Sequence, residues 1–171
     1  VIIRPNAEKA TELAAALIED AVLRKPTLVL GLATGRTMEA LYGRLAGRYR
    51  EGVLDFSGLR TFNLDEYIGL SANDPVSYRS YMNRHLFDHV NIPRENTHLP
   101  NGVAADLDAE CAAYEALIEK SGGIDLQLLG IGRSGHIGFN EPLSAMRSRT
   151  RPKALSPATI ALVMLCGSLL M

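Results

Sequence analysis

The 171-residue chain carries 18 Lys and Arg against 19 Asp and Glu, a formal net charge of -1, with 47% hydrophobic and 22% charged residues. That length fits one domain able to hide roughly 70% of its unfolded surface, and the mixture is wrong for disorder. The charge balance gives no basic field for nucleic acid, and 6% aromatics without a Trp leave too little for a base-stacking surface. Cys111 and Cys166 lie outside any C-x-x-C or zinc-ribbon spacing, which argues against a disulfide framework and for a reducing, cytoplasmic setting. Arg4, Glu8, Lys9 and Glu12 break up any apolar leader.

In chain order, Val1 to Ile3 reads as a short strand ended by Pro5. Asn6 caps a helix from Ala7 to Arg24, whose stripe is Leu13, Ala14, Leu17, Ile18, Ala21 and Val22. The apolar run from Thr27 to Leu32 is too short for a helix and reads as a strand covered on both faces. A loop, Ala33 to Thr37, leads into a helix marked by Met38, Leu41, Tyr42 and Leu45. A strand from Leu59 to Leu64 runs into Asp65, Glu66 and Tyr67. Ser77 to Val90 reads as a helix burying Tyr78, Tyr81, Met82, Leu86 and Val90, and Asp106 opens another through Ile118, closed by Gly122 and Gly123. Ile124 to Ile131 reads as a wholly buried strand followed by a Gly-rich loop. The alternation predicts an α/β fold: a doubly wound, mostly parallel sheet with helices on both faces. Ile160 to Cys166 is almost purely apolar, but Pro157 and Gly167 interrupt it, so a buried strand or a damaged terminus is favoured over a membrane anchor.

Three loops follow three of these strands, and a parallel sheet would bring them to one edge. In the first, Gly35 permits close backbone approach, Thr37 stands where a helix begins, and Arg36 adds charge. Thr34, Gly35, Arg36 and Thr37 therefore form a candidate phosphate cradle, with an ordinary strand-to-helix turn as the competing reading. The Walker pattern is missing. In the second, Asp65 and Glu66 stand at the mouth of the sheet. One could abstract a proton from carbon if burial tunes it; a helix cap or surface charge is the alternative. The third loop sets His136 among glycines, with Ser134 and Gly135 before it and Glu141 placed to fold back onto the imidazole. Ser134 does not make a hydrolase elbow, because His136 stands where the second glycine belongs. His85 and His89 have metal spacing but no H-E-x-x-H, and no metal is expected.

Together these loops resemble the glucosamine-6-phosphate deaminase (isomerase) family. The similar stretches are Gly31 to Thr37, Phe62 to Leu70 running on through Ser77 and Tyr78, His85 to Pro93, Gly130 to Pro142, and Ser148 to Arg151. The related 6-phosphogluconolactonases usually carry Gly-His-Thr-Ala-Ser in the third loop and an arginine after the acidic pair; Ile137 after His136 and Tyr67 after Glu66 favour the deaminase.

The resemblance implies conversion of glucosamine 6-phosphate to fructose 6-phosphate and ammonia, without metal or organic cofactor. It implies Asp65 as the base between C2 and C1, His136 as the ring-opening group, and Glu141 as its supporting carboxylate. Phosphate would rest on Thr34 to Thr37, with Glu66, Ser134 and Gly135 around the substrate. Arg151 and Lys153 match basic residues that bind an allosteric effector in some hexameric members. Ser134 stands where members commonly carry Asp or Asn. The family continues beyond this point and the match fades near Leu162. The expectation is thus a single domain, C-terminally incomplete, with an aberrant apolar tail over 162–171. The partner expected is a small sugar phosphate, not nucleic acid or membrane, and a homo-oligomer is compatible. A lactonase-like hydrolase, or a sugar-phosphate-binding fragment without catalysis, stands as the alternative.

Overall fold

The computed structural model describes residues 1–132, 135–140 and 144–155. Helix α1 (Ala7–Arg24) starts at Asn6, whose side chain accepts the Lys9 N–H. Strand β1 (Val29–Leu32), helix α2 (Arg36–Arg50), strand β2 (Arg60–Asn63) and helix α3 (Tyr78–His85) follow. After Thr97–His98 (β3) come helix α4 (Leu107–Lys120), capped by Asp106, and Leu126–Gln127 (β4). The sheet runs β3-β2-β1-β4, and every pairing is parallel.

The pleat divides the core. Leu30 and Leu32 point to one face, where they pack with Ile18 and Val22 of α1, Leu41, Tyr42 and Leu45 of α2, and Met82 of α3. Val29 and Phe62 point to the other, onto Tyr114 of α4 with Leu117 and Ile118 beside it. Helices therefore cover both faces, and the loops leaving β1, β2 and β4 emerge at the same edge, as parallel pairing requires. No helix among the described residues is long and apolar enough to cross a membrane.

Three expectations need correction. Val1 to Ile3 forms no strand: the three side chains are exposed and, among the described residues, no strand pairs with them. The expected strand from Ile124 to Ile131 pairs only at Leu126 and Gln127, and it is not wholly buried, since Leu129 is 45% and Ile131 79% exposed. This strand is the sheet's margin, and among the described residues it has β1 on one side and no strand on the other. The third helix ends at His85 and gives way to a 3-10 turn, Phe87–His89. The strand at Thr97 and His98 went unpredicted, because two residues between Pro93 and Pro100 carry no periodic signal. The apolar stretch after 155 lies outside the described residues.

Candidate active site

The first loop leaves β1 at Ala33 and enters α2 at Gly35, whose φ of 117° only glycine adopts readily. Three tyrosine hydroxyls hold three consecutive residues of it. Tyr42 of α2 donates to the Ala33 carbonyl. The Thr34 hydroxyl is hydrogen-bonded to Tyr78 of α3, and Tyr81 of the same helix donates to the Gly35 carbonyl at 2.8 Å. The loop is thereby pinned from beneath while Gly35, Arg36 and Thr37 stay exposed. The start of α2 has no side-chain cap, unlike α1, α3 and α4, and its N-terminal dipole faces the exposed loop.

Asp65 and Glu66, neighbours in sequence, do different things. Both oxygens of Glu66 are turned to backbone: Oε1 accepts the N–H of Tyr67 at 2.9 Å and of Tyr78 at 2.8 Å, and Oε2 that of Arg79 at 2.9 Å. It thus closes the start of α3 as a helix-capping carboxylate would, which was the plainer of the two expectations for this pair. Asp65 instead meets the third loop. Its carboxyl accepts the Phe139 N–H, and burial, reinforced by the Glu66 charge, pushes it up to about 7.

The third loop approaches through Gly138, whose φ is 57°; a Cβ there would stand 3.0 Å from Asp65 Oδ2. The loop is self-closing. Gly132 N–H donates to the His136 carbonyl and Gly135 N–H to the Gly132 carbonyl, both at 2.9 Å, and the half-buried His136 ring lies over Gly132. Phe139 packs its ring on Tyr67 (centroids 5.3 Å apart) and on Tyr78 (5.8 Å). Ser134 and Glu141 lie outside the described residues.

Asp65 and Glu66 also line a cleft of about 330 Å³, together with Gly138, Phe139, Asn140, Arg149, Arg151 and Lys153. Arg151 donates to Asn140 Oδ1 at 3.0 Å. The two basic residues that the resemblance matches to effector-binding positions thus share a cleft with Asp65, whereas Thr34 to Thr37, Gly135 and His136 do not line it. His85 packs on Tyr81, and His89 Nε2 sits 2.8 Å from the Arg84 carbonyl.

Sequence reasoning missed the tyrosines. Tyr42 marks a helix and Tyr78 and Tyr81 are expected on a buried face; Tyr42 is fully buried and the other two half-buried, but no task was expected of their hydroxyls. The available signal was chemical: a buried phenol needs a hydrogen-bond partner, and the nearest polar backbone is the loop.

A doubly wound parallel sheet with a helix-opening loop, a buried carboxyl and a Gly-His loop at its carboxyl edge places the chain among the α/β proteins whose ligand loops gather at the strand ends. The family model for glucosamine-6-phosphate isomerases and 6-phosphogluconolactonases matches residues 5–139, and the chain belongs to that family. It is 51% identical over 160 residues to a glucosamine-6-phosphate deaminase of a Thermoanaerobacter species, covering 94% of this chain and 63% of that protein. It is 54% identical over 160 residues to the deaminase of Shewanella loihica, covering 94% and 59%. Among solved structures, a monomeric glucosamine-6-phosphate deaminase superposes with a TM-score of 0.89 at 45% identity, over 92% of this chain and 65% of that one. The 6-phosphogluconolactonase of Thermotoga maritima shares the fold, with a TM-score of 0.66 at 22% identity, over 80% and 61%. The chain spans about 63% of the Thermoanaerobacter relative's length.

Proposed function

We propose that the chain carries the catalytic machinery of a glucosamine-6-phosphate deaminase, converting the amino-sugar phosphate and water to fructose 6-phosphate and ammonia. The observation that carries this is Asp65: a carboxyl held near neutrality, hydrogen-bonded to the Gly-His loop and close enough to feel the charge of Tyr78, which bonds the anion loop at Thr34. A proton on C2, beside the C1 aldehyde of the opened sugar, is acidic enough for such a base, because the charge left behind delocalises into an enolamine.

The steps divide among the loops. Phosphate rests on Thr34 to Thr37 at the start of α2, with Arg36 adding charge. His136, supported by Glu141, moves the proton that opens the ring. Asp65 takes the C2 proton and returns it to C1. Water then adds to the imine left at C2, and ammonia departs as the ketone forms. The chemistry calls for neither metal nor organic cofactor. Ser134 and Gly135 border the sugar, and Glu66 serves by holding the wall rather than by touching substrate. Arg151 and Lys153 present positive charge across the cleft. We place the reaction in the cytoplasm, where sugar phosphates are made and a thiol such as Cys111 stays reduced.

The test is release of ammonia and fructose 6-phosphate from glucosamine 6-phosphate, with Asp65→Asn as control. The variant should lose about a hundredfold or more in kcat while remaining folded. Equal turnover by Asp65→Asn removes the assigned base, and hydrolysis of 6-phosphogluconolactone without deamination transfers the chain to the lactonase side of its family.

A further inference from the structure

We propose that Tyr78 is a positioning residue that keeps the anion loop, the Asp65 segment and the Gly-His loop in one register, with Glu66 as its anchor. The inference rests on the deaminase reading above and extends it to a residue outside the proton-transfer machinery.

Tyr78 touches all three loops. Its hydroxyl is hydrogen-bonded to Thr34 in the first and lies 3.0 Å from the Tyr67 hydroxyl in the second. Its ring packs on Tyr67 at 4.7 Å between centroids and on Phe139 of the third at 5.8 Å. Phe139, in turn, donates its N–H to Asp65. Tyr42 and Tyr81 also grip the first loop, but through carbonyls alone, and neither has a contact described with the other two loops.

The anchoring is equally specific. Tyr78 opens α3, so its N–H has no partner within the helix. Glu66 Oε1 takes that N–H and the N–H of Tyr67 together, fixing the two backbones whose side chains meet at their hydroxyls. A carboxylate beside the catalytic aspartate is electrostatically unfavourable for it. That cost is offset by the three N–H groups that Glu66 gathers.

The need for such a link follows from the substrate. Phosphate and C2 sit near opposite ends of a six-carbon chain. A base must come within about 3–3.5 Å of the reacting hydrogen-bearing carbon, and displacement by about 1 Å can cost on the order of a hundredfold in rate. The span from anion loop to Asp65 must therefore be held, and Tyr78 is the side chain that joins its two ends.

Tyr78→Phe keeps the ring and deletes the hydroxyl. Turnover of glucosamine 6-phosphate should fall about ten- to hundredfold in kcat, with KM within about twofold, since the loop backbone that binds phosphate is untouched. A second readout needs no turnover. The carbon-13 carboxyl signal of Asp65, assigned by its loss in Asp65→Asn, is followed as inorganic phosphate is added. In the unaltered chain it should shift; in Tyr78→Phe phosphate should still bind while the Asp65 response disappears. A change in thermal stability alone, with kcat and the Asp65 response intact, overturns the proposal, as does an Asp65 signal indifferent to phosphate in the unaltered chain. If the unaltered chain makes no fructose 6-phosphate but the Asp65 response depends on Tyr78, the deaminase reading fails and the link stands.

Discussion

Asp65 shows how much chemistry one side chain gains from its surroundings. Burial lifts its carboxyl from 3.8 to about 7, the Glu66 charge adds to the lift, and the Phe139 N–H opposes it. The hydroxyls of Tyr78 and Tyr114 lie near enough to feel its charge, and Arg149, Arg151 and Lys153 line the same cleft. In its proposed role as base Asp65 works only when ionised, so kcat/KM should rise with pH and reach half its plateau near pH 7, as read from a pH-rate profile. Glu66→Gln removes a negative neighbour, favours the ionised form of Asp65, and should move that midpoint to lower pH; a midpoint that stays or rises would contradict the assigned cause. The same residue weakens the fold. Because the native state holds its proton more tightly than the unfolded chain, its contribution to stability is complete below about pH 4 and is lost as pH rises toward 7. Asp65→Asn, which keeps an acceptor for Phe139, should therefore melt above the unaltered chain at pH 8 and level with it at pH 4.

Helix α3 is the element on which the site is built, and its first turn is secured twice. The Ser77 side chain accepts the Ser80 N–H at 3.0 Å while Glu66 takes those of Tyr78 and Arg79. Ser77 is completely buried, so Ser77→Ala should cost about 1–2 kcal/mol in urea unfolding. This helix also marks where sequence periodicity stops informing. The stripe through Tyr78, Met82 and Leu86 predicted a helix to Val90, yet Leu86 and Phe87 are 1% and 2% exposed. Successive residues on one helix point about 100° apart. Breaking the helix at Leu86 lets both side chains enter the core, a tertiary preference that a helical stripe cannot record. The first helix was legible because cap and stripe agree from Asn6 onward, the second from its stripe alone, and the fourth from its Asp106 cap and closing glycines. At the site, the loops were legible from their glycines and carboxylates, which are local. The tyrosine hydroxyls were not, because Tyr78 and Tyr81 find partners far along the chain, at Thr34 and Gly35, and Tyr42 turns back nine residues to Ala33, pairings that only the folded arrangement makes.

Across the whole molecule the parallel sheet separates two tasks. The carboxyl ends of its strands carry Thr34 to Thr37, Asp65 and the Gly-His loop, while the amino ends carry a fastening. There Asp125 accepts Lys25 Nζ at 2.8 and 2.7 Å and the Val29 N–H at 2.9 Å, and its own N–H returns to the Val29 carbonyl at 2.9 Å. It joins the beginning of β4 to the beginning of β1 and to the end of α1. The Lys25 contact and the Val29 N–H both hold its carboxyl below the usual aspartate range, so its stabilising effect is present at neutral pH and fades only in acid. Lys25 is half exposed, and the ion pair by itself contributes little; the backbone contact is part-buried and contributes more. Asp125→Ala should therefore lose about 1–3 kcal/mol of stability, and Asp125→Asn, which keeps an acceptor for Val29, less than about 1 kcal/mol. At roughly 10 Å or more of strand from the edge that carries Asp65, neither change should move the pH midpoint proposed for Asp65. A shifted midpoint in Asp125→Ala would mean that the sheet transmits strain from one end to the other, and that fastening and chemistry are not separate after all.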